Sequence, residues 1–74
     1  MNKERRKELE KISEAIEQAK ESLETIRDEE QDYIDNMPEN MQNGEKYSQS
    51  EEYVSAMEDA VNSLDDAMNS LQDI

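Results

Sequence analysis

Val54–Ile74 reads VSAMEDA VNSLDDA MNSLQDI, three consecutive seven-residue units that begin at Val54, Val61 and Met68. Apolar side chains stand at Val54, Met57, Val61, Leu64, Met68 and Leu71. These alternating steps of three and four put them on one stripe of an α-helix, seats a and d of a heptad. Each unit closes on a further small or apolar residue, Ala60, Ala67 and Ile74, with Tyr53 one heptad earlier. These g seats widen the stripe beyond what one partner helix covers, as in a helix bundle.

The same spacing recurs upstream at Leu9, Ile12, Ile16, Ala19, Leu23 and Ile26, with Ala15 and Ser22 at the g seats. Between the two patterned segments, NMPENMQNGEK (residues 36–46) holds the only Pro and the only Gly of the chain, which marks the turn. Asn36 with Glu39, and Ser48 with Glu51, have the spacing of capping boxes. The first predicts a short helical turn inside the connection and the second the start of the second helix. The expected organisation is all-α: one antiparallel helical-hairpin domain over 1–74, with helices about 2–35 and 48–73 and a connection at 36–47. Pairing residues whose numbers sum to 80 sets Leu9 beside Leu71, Ile16 beside Leu64 and Ile26 beside Val54, so that every a faces a d. So small a core needs a staple, and with no Cys the one expected is oligomerisation, a homodimer forming a four-helix bundle.

Composition alone points the other way. Leu, Ile, Val and Phe supply 11 of 74 residues beside a net charge of -13, a disorder-like balance that the heptad placement overrules. The chain has no His and no Cys, so it lacks a neutral-pH proton shuttle and a thiolate, and its eight Ser and Thr hydroxyls have no evident base. An enzyme is not expected, nor a cofactor. The charge disfavours direct nucleic-acid binding and docking on an anionic membrane, and favours a basic protein partner. No apolar run reaches five residues, so neither a signal peptide nor a transmembrane helix is expected and the expected location is cytoplasmic.

Charge is unevenly placed. Residues 1–11 carry five basic and three acidic side chains, the remaining 63 carry three basic and 18 acidic, and nothing after Lys46 is basic. Cations at a helix N-terminus oppose the macrodipole. Either Asp65, Asp66 and Asp73 of the returning helix compensate Lys3, Arg5, Arg6, Lys7 and Lys11, or the basic patch binds something. Acidic pairs recur in the second helix, Glu51 with Glu52, Glu58 with Asp59 and Asp65 with Asp66, about 10.5 Å apart along the axis. A rod so spaced can imitate a phosphate backbone in dilute form, or simply be a solvated face. The absence of Lys and Arg from that helix separates it from ordinary exposed helices, which mix signs.

Tyr33, Tyr47 and Tyr53 cluster around the connection with Ile34, Met37 and Met41. They either anchor a partner or close the end of the bundle. Glu30 occupies a seam seat near this tip, where a polar residue can set register or oligomer state. The run DEEQDYID (residues 28–35) lacks the glycine and the alternating ligands of an EF-hand, so no metal site is expected. The candidate partner-binding residues are therefore Glu51, Glu52, Glu58, Asp59, Asp65, Asp66, Tyr33, Tyr47 and Tyr53.

The opening NKERRKELEKI, the run IRDEEQDYIDNMPENMQ followed by Tyr47, and the tail EDAVNSLDDAMNSLQ resemble small acidic proteins encoded in phages and prophages of Gram-positive bacteria. That class has no settled activity. The resemblance implies a helical hairpin in a phage setting and transfers no site residue. The function expected is an acidic interaction protein that blocks a host protein with a basic, nucleic-acid-binding surface, as an inhibitor of a defence nuclease would. The alternative is a structural or self-assembling coiled-coil module whose acidity serves solubility alone.

Overall fold

The computed structural model describes all 74 residues. Helix α1 spans Lys3–Asp35, a single 3-10 turn spans Glu39–Met41, and helix α2 spans Glu45–Gln72. The helices pack against each other as an antiparallel hairpin, a rod of 59 × 15 × 13 Å.

Local chemistry sets the helix ends. Asn2, in extended conformation, accepts the Arg5 amide on Oδ1 at 2.8 Å and so satisfies one of the free N–H groups of α1. At the other end Asn36 is the C-cap, its Nδ2 donating to the Asp32 carbonyl at 2.9 Å. Asn36 therefore closes α1 rather than opening a capping box with Glu39. The turn expected within the connection is present at Glu39–Met41, and Pro38 precedes it with no side-chain cap.

Helix α2 begins three residues ahead of the expected start, with Gly44 as N-cap and Ser48 inside the first turns, its amide bonded to the Gly44 carbonyl at 3.3 Å. The Ser48 box is thus not used. Gly44 is favoured by proximity rather than by its dihedral angles: a Cβ there would sit 3.1 Å from the Met41 carbonyl oxygen, the group its own amide bonds at 3.0 Å, so a side chain would need that carbonyl to give way slightly. The connection contracts to residues 36–44.

The core is thin and lies toward the tip. Ile34, Met37, Val54 and Val61, with Ser50, are the only buried residues, and no side chain is fully enclosed. Toward the open end Leu9, Ile16, Leu64, Met68 and Leu71 are half-buried. On α2 the covered residues Tyr47, Ser50, Val54, Met57, Val61, Leu64, Met68 and Leu71 follow the a/d seam expected from sequence, with Ala60 and Asp65 half-buried on its two flanks.

On α1 they do not. The covered residues are Leu9, Ser13, Ile16, Lys20, Leu23, Arg27, Glu30 and Ile34, seats a and e, with Glu24 beside them at a b seat, whereas Ile12 and Ile26 are 50% and 54% exposed and Ala19 is exposed. The a-to-d pairing that placed Ile12, Ala19 and Ile26 against Met68, Val61 and Val54 is corrected accordingly. With 3.6 residues per turn, a face centred on a/e is rotated about 50° from one centred on a/d. The phase is set at the tip, where the hairpin can bury Tyr33 or its neighbour Ile34 but not both. It buries Ile34 to 4% exposure together with Met37, whose amide bonds the Ile34 carbonyl. Upstream, the stems of Arg27 and Lys20 then lie over the α2 seam while their charged ends reach carboxylates.

A candidate interaction surface

The rotation of α1 gives the rod two unlike sides. Gln31 lines one surface hollow with Glu51, Ser55 and Glu58 of α2, and Glu17 lines another with Met68 and Gln72. Hence the b seats of α1 and the e seats of α2 share a side. In an antiparallel pair the d seats of α1 and the g seats of α2 then share the opposite one.

The first side is acidic. Every acid of α2 stands at seat e or f: Glu51, Glu58 and Asp65 at e, beside the a/d seam, and Glu45, Glu52, Asp59 and Asp66 at f, on the back of the helix away from α1. Glu10, Glu17 and Glu24 of α1 occupy b seats on the same side. These three were not among the candidates, although their seven-residue spacing was readable. What was not readable was which flank of α1 would turn toward α2.

One cation interrupts this side. Lys20 Nζ donates to Asp65 Oδ1 at 2.6 Å, with side-chain exposures of 21% and 43%. The Lys20 ammonium is held above the ordinary lysine pKa, first by this hydrogen bond, with Asp65, Glu24 and Glu17 adding attraction and partial desolvation opposing it. Asp65 is thereby engaged within the hairpin. Glu51, Glu52, Glu58, Asp59 and Asp66 are exposed and make no ion pair. No three acidic side chains converge into a group that could hold a metal ion.

The second side is uncharged along its middle. On α1 it presents Ile12, Ala15, Ala19, Ser22, Ile26 and Tyr33, and on α2 Tyr53, Ala56, Ala60, Ser63, Ala67 and Ile74. Tyr33 and Tyr53 are 49% and 51% exposed and belong to this side, while Tyr47 is half-buried on the α2 seam. The three rings therefore do not form one cluster, and the tip is closed by Ile34 and Met37 instead. Met41 is exposed and shares a shallow hollow with Tyr33, Met37 and Pro38.

The basic N-terminus is not matched as expected. Lys3, Arg5, Arg6, Lys7 and Lys11 are exposed and none makes an ion pair; the two ion pairs of the molecule are Lys20–Asp65 and Arg27–Asp28. Arg6 lies at a hollow with Leu71, Gln72 and Ile74, beside the α2 C-terminus but not paired to Asp73. The compensation expected from Asp65, Asp66 and Asp73 is not realised as contacts: Asp65 is taken by Lys20, and Asp66 stands at an f seat, away from α1.

No helix is long and apolar enough to cross a membrane. No family model matches the chain, and neither a curated protein nor a solved structure is similar to it.

Proposed function

We propose that the protein is a non-enzymatic acidic binder, phage-encoded and acting in the host bacterial cytoplasm, that occupies the basic, nucleic-acid-binding surface of a host protein such as a defence nuclease. The observation that carries this reading is the confinement of all α2 acids to seats e and f. A solvated helix distributes its charges around the exposed arc and mixes signs; here α2 holds one cation, Lys46 in its first turn, and its c and g seats are free of acid over the same length. Parallel rows of carboxylates on a rod suit a partner groove that tracks a phosphate backbone. Phosphate mimicry of this kind steers encounter by long-range attraction and so weakens steeply with salt.

The chain acts as a homodimer, two hairpins forming a four-helix bundle through the uncharged side. The thin core and the exposed isoleucines support this. A self-assembling structural module would use the same dimer, and it draws support from the same uncharged side. The two readings part at the acidic rows, which only the binder requires.

The test is capture from a bacterial lysate on immobilised wild-type protein and on a Glu58→Lys, Asp59→Lys, Asp66→Lys variant, which leaves the Lys20–Asp65 bridge intact. Wild type is expected to retain a nucleic-acid-binding protein that elutes with salt, and the variant to lose it with unchanged helicity. Equal capture by both contradicts the binder reading.

A further inference from the structure

Ala19 stands at the middle of α1 (Lys3–Asp35), with Ile12 and Ile26 one heptad to either side of it on the uncharged side and Tyr33 a further heptad toward the tip. Arg5 occupies the same seat one heptad before Ile12. A two-fold axis crossing α1 at Ala19 sets Ile12 of one copy against Ile26 of the other and Arg5 against Tyr33, in both directions, as an isologous interface requires. The small residues Ala15 and Ala19 of α1 and Ser63 and Ala67 of α2 lie near the centre, since Lys20 is level with Asp65.

Charge decides the polarity. Residues 28–52, around the tip, carry nine acidic side chains and one basic one, Lys46. Two such tips at the same end of a bundle repel within a Debye length, about 8 to 10 Å at ordinary ionic strength. At opposite ends of a 59 Å rod they are screened from each other. Reversal also delivers the unpaired Lys3, Arg5, Arg6 and Lys7 of each copy to the acidic tip of the other, near Glu29 and Asp32.

We infer that a second copy of this chain docks tip to tail on the uncharged side, α1 crossing α1 at Ala19, with the basic N-terminal segment of each copy against the acidic tip of the other. This rests on the dimer reading above and adds its face, its register and its polarity. The arrangement leaves the acidic rows of both copies facing outward on opposite sides, so one dimer presents two equivalent surfaces to basic partners.

The chain has no Cys, so single cysteines report proximity without background. Ala19→Cys, Ile12→Cys, Ile26→Cys and Ala67→Cys variants, each checked for helicity and for mass by light scattering, are oxidised with copper-phenanthroline and separated without reductant. Tip-to-tail docking predicts that Ala19→Cys links to itself. It also predicts that Ile12→Cys does not self-link but links to Ile26→Cys when the two are mixed. With the N-termini at one end instead, α1 stacks on α2 of the other copy, so Ala19→Cys links to Ala67→Cys and not to itself. That pattern overturns the polarity while sparing the dimer. A mass of 8.6 kDa for wild type at micromolar concentration, with no links formed, overturns both.

Discussion

Lys20 and Asp65 make the only side-chain hydrogen bond between the two helices, Nζ to Oδ1 at 2.6 Å. Lys20 is in range only because α1 turns its e seats toward α2. The bond therefore marks the rotation that exposes Ile12, Ala19 and Ile26, and it ties the acidic side to the packing of the hairpin.

Because the folded state holds the Lys20 ammonium more tightly than the unfolded chain does, its contribution is complete below the ordinary lysine pKa. It is lost as pH rises through the raised value. Melting curves of wild type and Lys20→Met across the alkaline range are expected to converge as pH rises past that point, the difference between them being largest at neutral pH.

The phase of α1 is tested by two isoleucines. Ile34→Ala removes a side chain that is 4% exposed and is expected to cost about 2 to 5 kcal/mol, a large share of the stability of so small a domain. Ile26→Ala, at 54% exposure, is expected to leave the unimolecular stability of the hairpin nearly unchanged and to weaken self-association instead. Urea titrations at two protein concentrations separate the effects: the Ile26→Ala midpoint falls toward a concentration-independent value, and the Ile34→Ala midpoint falls at every concentration.

Asn2 secures the first turn against an unfavourable run of cations. Asn2→Ala is expected to destabilise by about 1 kcal/mol, and Asn2→Asp to be tolerated because it keeps the acceptor and adds a charge that suits the helix N-terminus. Amide exchange of the Arg5 N–H reads the loss locally.

With a net charge of -13 and two ion pairs, repulsion dominates the electrostatics of the monomer. The melting temperature is expected to rise between about 10 mM and 500 mM salt as screening shortens the range of that repulsion. A fall would mean that attractive pairs carry the fold.

The helices and the α2 seam were legible because three repeated heptads leave α2 one apolar stripe. The turn was legible because Pro38 and Gly44 have no other place in a helical chain. The phase of α1 was not, since Ile12, Ile26 and Tyr33 offer an a/d stripe as good as the a/e stripe that packs. The choice between Tyr33 and Ile34 is made by three-dimensional closure at the tip. The start of α2 was misplaced because Ser48 and Glu51 mimic a capping box, whereas the close approach of Gly44 to Met41 has no signature beyond the glycine itself. The acidic pairs were legible as pairs, and their sharing a side with Glu10, Glu17 and Glu24 followed only from the rotation.

If the acidic rows take the place of nucleic acid on a basic partner, as proposed, the protein competes with nucleic acid for a captured partner. At fixed ionic strength, wild-type protein titrated into the complex of that partner with fluorescent duplex DNA is expected to release the DNA to completion. The Glu58→Lys, Asp59→Lys, Asp66→Lys variant is expected to release none in the same range. A ternary complex holding both DNA and the protein, or equal displacement by the variant, would contradict the account.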